Sequence, residues 1–599
     1  MNKSQIIYKR SPLKTTESVI ARAFRPKQSH YRTVSEIASF LAMTFISFLI
    51  LAFQGNIKAQ NADVIIIDAY KPTISDAFKI NDNPKIQDTT VEKLNLNYQI
   101  SSRLYPTTYY LDPIKPAKMV GEPLTKFYKS YVKAGFGTKT TPLAEIYFNN
   151  LRSTDQSIGA YFRHLSSAGK IKDYAFPGFS DNEAVVYASK FYKNHTLSAD
   201  IDYNRNVVHY YGFNPAELPP DLSMLNIEDK DKFKQRFLKI GGQLKFMSTF
   251  IDSVKLNHSF SLSYFNFSDM YKASEDHIGF TGAIDKKVNL IGKNINNQDI
   301  GLKADVNYYN DFNKIGISSP GATVRLLPHF SATYDILKFD IGLNTSIEAT
   351  DKYSNIYLYP DANFNINLYN NILILYGGIT SDLKRNNLID LSSENPFINT
   401  YLPLKFTNTR SKIFGGFKGC LSSYLSFNAY ISKSKVENLP LFVNDTAIDL
   451  FNKFTVIYDK ARVINTHTEI SYQKTEKIKI LLISNFYQYM PNELEAWHKP
   501  NMDVKFSLYY NLKNKIILKT DVFALGSSYA KKCDPGKIPD VNRVRLPGTV
   551  DVNLGLEYRY TKILSAFLNF NNIGAVRYQR WYNYPGYGFT ALAGITYAL

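Results

Sequence analysis

Catalysis and metal binding need a few side chains of fixed type at fixed spacing, so the nine histidines and two cysteines are the first residues to weigh. The histidines are scattered. Only His195 and His209 fall within one strand region, where two histidines on a polar face are expected rather than a ligand pair. No H-E-x-x-H, G-x-S-x-G, phosphate-loop or G-x-G-x-x-G pattern occurs. The run Asn226, Ile227, Glu228, Asp229, Lys230, Asp231 is acidic but lacks the alternating ligands and closing Glu of a calcium loop, so a solvated loop is expected. Cys420 and Cys533 belong to no C-x-x-C spacing and are expected at opposite ends of the fold, unbonded. No catalytic residue, metal or cofactor is therefore expected, and the chain reads as a non-enzyme.

The charged residues carry a different message, because their spacing has a period of two. In residues 549–560, Val550, Val552, Leu554, Leu556, Tyr558 and Tyr560 hold one parity, while Asp551, Asn553, Gly555, Glu557 and Arg559 hold the other. Lys239, Gly241, Gln243 and Lys245 stand opposite Ile240, Gly242, Leu244 and Phe246 in the same way. So do Lys303 and Asp305 opposite Leu302, Ala304 and Val306. Only a strand separates such sets cleanly, since a helix would mix them. The alternation lasts ten or more residues, the length that crosses a bilayer at a tilt. Lipid cannot satisfy backbone N–H and C=O groups, so a spanning sheet must close on itself. The expected fold is therefore an all-β, transmembrane antiparallel β-barrel. Its apolar parity faces lipid, and Lys239, Lys245, Lys303, Asp305, Asp551, Glu557 and Arg559 face a wet lumen. Mixed charge on a wet wall is ordinary and points to no particular selectivity.

Counting back from the C-terminus places about twenty-two strands between residues 126 and 599, among them 406–419, 422–436 and 461–474. Short joints at Lys193-Asn194, Tyr369-Asn370 and Lys513 fall at one end. The long connections 168–182, 212–233, 384–405, 437–460, 528–545 and 573–584 all fall at the other, the asymmetry of bacterial barrels with short periplasmic turns and long outer loops. Trp497 and Trp581 both fall in expected outer loops, where interfacial anchoring is the simplest expectation. Gly415 and Gly416 read as a place where bulky neighbours cross a strand.

Export is written at the other end of the chain. Residues 37–53 are apolar and uncharged, follow a long basic n-region, and lead to Ile57-Lys58-Ala59 before Gln60, a secretory signal over residues 1–59. An uncleaved inner-membrane anchor is the alternative. This segment carries +7 of the formal +19, and the remaining +12 is dispersed with no basic block that would track a phosphate backbone, so no nucleic acid partner is expected. Asp63, Val64, Ile65, Ile66, Ile67, Asp68 and Ala69 follow, a short apolar strand able to add to a partner's sheet edge or to tuck against the barrel. Pro106, Pro113, Pro116 and Pro123 give residues 60–125 the character of an extended periplasmic strap.

Residues 63–69 resemble the energy-coupling box of TonB-dependent receptors. The strand number and the aromatic-rich composition are similar to the barrels of that class, and the Tyr-, Asn- and Lys-rich style to their Bacteroidota versions; the runs at 70–81 and 131–137 resemble a receptor-like barrel family of the same group. The terminal strand, with Phe589, Ile595, Tyr597 and Leu599 on one face, resembles the signal read by barrel-assembly machinery, departing from it in ending with Leu. The resemblance implies an outer-membrane location and a role in uptake or transport. It implies partnership with outer-membrane lipid and with a TonB-like energy-coupling protein or a surface lipoprotein. It also implies a plug domain, for which 60–125 is too short, so the plug is expected to be reduced or missing. A structural or assembly subunit without transport activity is the alternative.

Overall fold

The computed structural model describes residues 128–599 except 152, 218–228, 251–254, 293–294, 313–317, 447–449 and 532–542. The signal segment, the box-like run, the strap and Cys533 lie outside the described residues.

One closed sheet of 22 antiparallel strands dominates, matching the expected fold class and strand number. In chain order the strands are β1 Ser130–Gly137, β2 Thr141–Asn149, β3 Gln156–Ser167, β4 Phe179–Phe191, β5 His195–His209, β6 Lys234–Ser248, β7 Asn257–Asp269, β8 Ser274–Val288, β9 Ile295–Phe312, β10 Ser318–Tyr334 and β11 Leu337–Thr350. They continue as β12 Ser354–Tyr369, β13 Leu373–Arg385, β14 Phe406–Ser422, β15 Leu425–Asn444, β16 Phe454–Lys474, β17 Ile478–Pro491, β18 Met502–Leu512, β19 Ile516–Leu525, β20 Thr549–Arg559, β21 Leu564–Asn571 and β22 Thr590–Ala598. Each pairs with its chain neighbours. β1 closes the ring against β22, from Tyr131↔Ala598 to Gly137↔Leu592, leaving the sheet no edge.

Alternation sorts the side chains as a barrel wall requires. Ile240, Leu244, Leu302, Val306, Val550 and Tyr558 are all exposed on the outer face. A continuous apolar exterior of this extent is the surface of a barrel held in lipid. At the end that carries the chain terminus, turns are tight. Asn370 and Asn371 (φ 34° and 62°) and Lys513 and Asn514 (φ 51° and 56°) take the left-handed conformation that two-residue hairpin turns demand. Asn tolerates it through local hydrogen bonding.

The connection expected at 437–460 is shorter than the sequence suggested: β15 runs on to Asn444 and β16 begins at Phe454. A register shift between Val436 and Leu439, with Asn438 at φ 54°, absorbs one irregularity, and the ladder resumes with Leu439 opposite Asp459 and Pro440 opposite Tyr458. Proline is tolerated there because β14 pairing ends at Asn408↔Glu437, so no donor is required on that side. Nearby, β13 leaves β12 after Ala362↔Ile379 and shifts register between Thr380 and Asp382. Past that point it stays paired with β14 but leans across β10 and β11, where Asp382 pairs with Arg325 at 2.6 Å and the Ser381 carbonyl accepts from Asn344 at 3.2 Å. This bend carries the connection 386–405 inward. That connection holds a short helix, α1 (Leu388–Glu394), capped by the Asn387 side chain, which accepts from the Asp390 N–H at 3.0 Å.

Candidate functional site

Parts of the long connections do not stand in solvent. They converge into a buried core across one mouth of the barrel, built from Tyr210, Tyr211, Phe397, Ile398, Phe442, Phe454, Val456, Trp581, Tyr584 and Tyr587. Phe397 stacks on Tyr584 at 3.8 Å between ring centroids, and Tyr211 meets the same ring edge-on at 4.9 Å. Trp581 packs against Phe442, Phe454 and His498 at 5.1–5.7 Å. Each such pair contributes about 0.5–1.5 kcal/mol beyond its burial.

Hydrogen bonds tie the same segments together. The Tyr210 hydroxyl donates to the Ile398 carbonyl at 2.9 Å, and the Asn452 amide donates to the Tyr210 carbonyl at 2.9 Å. The Tyr211 hydroxyl donates to the Pro585 carbonyl at 2.8 Å, and the Tyr584 hydroxyl donates to the Asn452 carbonyl. The connections after β5 and β15 start ten strands apart in a ring of 22, so bonds between them must cross the opening. The loops therefore form a cap. Two polar anchors fix it to the wall: the Leu388 N–H donates to Glu275 at 2.7 Å, and Arg385 pairs with Asp311 while buried. Gly321 makes room for that pair, since a Cβ there would collide with the Arg385 guanidinium.

Electrostatics inside the cap follow from burial. His498 is 1 % exposed, and burial pushes its imidazole down to about 4 from the ordinary 6.5. The neighbouring Arg580 and Lys499 push the same way, opposed by the bond to the Phe442 carbonyl. Its Nδ1 donates to that carbonyl at 2.9 Å and its Nε2 accepts from the Tyr582 N–H at 3.2 Å, an arrangement only the neutral ring can make. Burial alone would raise the Glu394 carboxyl. The Lys499 ammonium 2.8 Å away outweighs it, with help from Arg580, and holds the carboxyl below its usual range. The Lys453 ammonium sits between the Tyr210 and Tyr271 rings, 4.5 and 4.6 Å from their centroids.

Between the cap and the inner face of β18–β20 lies a cavity of about 200 Å³. Phe179, Tyr211, Phe397, Trp581, Tyr584 and Tyr587 supply aromatic walls, and Glu394, Asp503, Lys505, Asp551 and Arg580 supply charge. An apolar cavity with a few polar groups is what a small amphipathic molecule requires. Among the described residues no three His, Cys, Asp or Glu side chains gather to hold a metal ion.

The charged residues picked from the sequence are spread along the wall rather than gathered. Lys239 on β6 pairs with Asp202 at 2.8 Å and lies over the Phe265 ring. Lys245 and Lys303 are exposed, and Asp305 stands opposite Arg325 on β10. Glu557 and Arg559 pair with each other at 3.2 Å. Asp551 alone reaches the cavity, buried and accepting from the Tyr578 hydroxyl at 3.1 Å. Residues 63–69 lie outside the described residues. Phe589, Ile595, Tyr597 and Leu599 are exposed on the outer side of the closing strand.

Three expectations need correction. Trp497 and Trp581 are not interfacial anchors: they are 2 % and 3 % exposed, because their connections fold inward and bury them. His195 is not on a polar face. It shares the parity of exposed Leu197 and Ile201 and stacks on Phe246 at 5.0 Å. His209 is buried where its strand meets the cap, with Nδ1 bonded to the Gly178 carbonyl at 2.6 Å. Sequence reasoning missed the cap, though 578–587 reads YQRWYNYPGY, far too aromatic for a solvated loop.

No protein-family model matches the sequence, and no curated protein matches it. Solved structures do match in fold. The FrpB iron transporter from Neisseria meningitidis (F5-1 variant) aligns with TM-score 0.59 at 8 % identity, over 80 % of this chain and 83 % of its own. The ferric-catecholate import receptor Fiu from K12 E. coli aligns with TM-score 0.57 at 11 % identity, over 79 % and 82 %. The pyoverdine outer membrane receptor FpvA from Pseudomonas aeruginosa PAO1 aligns with TM-score 0.56 at 12 % identity, over 80 % and 79 %. The chain shares the barrel fold of these outer-membrane proteins.

Proposed function

We propose that the protein is an outer-membrane barrel of the TonB-dependent receptor-like class, acting in uptake or transport by binding and passage rather than by catalysis. A cleaved signal at 1–59 delivers it, residues 60–125 form a periplasmic strap with a reduced plug, and 126–599 form the barrel. Asp63 to Ala69 would offer a strand to a TonB-like energy-coupling protein, or a surface lipoprotein would engage the opposite end. The observation that carries this reading is the cap. A barrel of this strand number encloses a wide lumen, and loops from opposite sides close it over an aromatic cavity, as expected of a gated passage.

Planar-bilayer conductance of the purified mature chain tests it. The intact protein should be nearly silent, and a variant in which 572–589 is replaced by a short Gly-Ser turn should conduct. A large steady conductance from the intact protein would refute gating by the cap. Silence in both, from correctly folded protein, would favour the second reading, a structural or assembly subunit of a membrane complex. That reading draws on the continuous aromatic packing of the cap, which could serve as a fixed scaffold.

A further inference from the structure

On the outer face of β14–β16 the apolar belt ends in a cluster of cations. Along β15, Ile431, Lys433 and Lys435 are exposed while Ser432, Ser434 and Val436 between them are buried, so the lysines share the lipid-facing parity. Lys433 lies opposite Ile413 on β14 and Ile464 on β16. One alternation further from the terminus-bearing end, Lys435 lies directly opposite exposed Arg462. Next come Arg410 and Lys460, with side chains 59 % and 72 % exposed. On β14 the exposed apolar positions run from Leu421 to Ile413, a rise of about 20 Å at the usual strand tilt, and Lys435, paired with Ser411 one alternation further, stands about 25 Å from Leu421, the height of a barrel's lipid belt. The cations thus sit where that belt meets headgroups, at the end of the barrel that bears the cap.

The cluster is not neutralised from within. Glu437 is taken by Arg410 at 2.8 Å and faces Lys460 at 3.9 Å. Among the described residues Lys433, Lys435 and Arg462 make no ion pair. Lys435 and Arg462 stand directly opposite on neighbouring strands, where like charges destabilise a sheet, and together with Lys433 beside an apolar surface they invite an anion that itself belongs to the lipid boundary.

We propose that this face binds a phosphorylated lipid headgroup of the surrounding leaflet, with phosphate bridging Lys435 and Arg462, Lys433 beneath it, and acyl chains lying along Ile413, Ile431 and Ile464. The proposal rests on the membrane placement of the barrel. A free phosphate would gain the charge contacts without the apolar ones, and an acidic protein surface could not follow the belt downward.

The test uses full mature protein in detergent with added bisphosphoryl lipid A, read by native mass spectrometry. Each cation near an anionic lipid surface is worth roughly fivefold in binding, so K433Q/K435Q/R462Q should lose on the order of a hundredfold. K190Q/K286Q, which removes outward lysines near the other end, should lose little. Dephosphorylated lipid A should bind the native chain weakly, and inorganic phosphate should not displace the lipid. Equal binding by the triple variant, or by dephosphorylated lipid, would overturn the proposal. A triple variant that keeps lipid A but sheds a co-purifying acidic protein would overturn it in favour of a protein partner. Failure of the barrel reading is distinguishable, since such a chain would not show the heat-modifiable gel mobility of a folded barrel.

Discussion

Acidification should loosen the cap through one residue. His498 is neutral in the closed cap, with Nδ1 donating to Phe442 and Nε2 accepting from Tyr582. Protonation at Nε2 would set one N–H against another beside Lys499 and Arg580. Its folded-state value of about 4 lies below the ordinary 6.5, so the open state binds the proton more readily. Stability from this group is complete above pH 6.5 and is lost as pH falls toward 4. Integrated from neutrality to pH 4.5, the loss is about 2–3 kcal/mol, a change on the order of a hundredfold in the opening equilibrium. Glu394, held below its usual range, stays ionised over most of that interval and does not mask the effect. Hydrogen exchange of the peptide spanning 578–587, corrected for intrinsic rates, should accelerate accordingly between pH 7 and pH 4.5. The same comparison with His498→Gln should be nearly flat. Equal acceleration in both proteins would refute the assignment to His498.

Two further substitutions test the wall and the anchor. Leu302→Arg places a charge on the exposed outer face of β9, opposite Ile284 and Pro328, and should cost about 2–4 kcal/mol in reversible folding into micelles, whereas Lys303→Arg should cost almost nothing; equal stabilities would show the register to be wrong. Arg385→Ala leaves Asp311 buried beside Glu275 and should cost about 3–5 kcal/mol in the same assay. Gly321→Ala should be strongly destabilising alone and nearly neutral in the Arg385→Ala background, a non-additivity that would be absent if the guanidinium did not occupy that space.

What was legible in the sequence is what strands encode locally. Side-chain parity is fixed by the chain itself, so Val550 and Asp551, or Leu302 and Lys303, declare opposite faces without reference to any neighbour. Tight turns are equally local, as Asn370 and Asn371 show. The cap was not legible because its partners are remote: Tyr210 bonds to Ile398 and Asn452, and Trp581 packs on Phe442 and Phe454. Nothing in the spacing of those residues encodes that the connections bend inward. The bends depend on irregularities at Thr380/Asp382 and Val436/Leu439, where a single extra residue changes the direction of a strand. Reading the long connections as outer loops followed from their length, and their aromatic content argued for burial.

The chemistry of the cap bears on whether it opens. Four tyrosines fasten it, each with its ring in the core and its hydroxyl on a backbone carbonyl: Tyr210 on Ile398, Tyr211 on Pro585, Tyr584 on Asn452, and Tyr587 on Gly169 and Pro177. A hydroxyl–carbonyl bond contributes only about 1 kcal/mol net, because water replaces it on opening. A core of leucine and phenylalanine alone would expose purely apolar surface when parted, with nothing for water to bind. The tyrosines lower that cost at every contact while fixing one closed geometry. His498 adds a bond that exists in only one protonation state. A fastening of many replaceable bonds suits a closure that must reopen better than a scaffold that must not, which is the physical reason for preferring gated passage over a permanently sealed docking subunit.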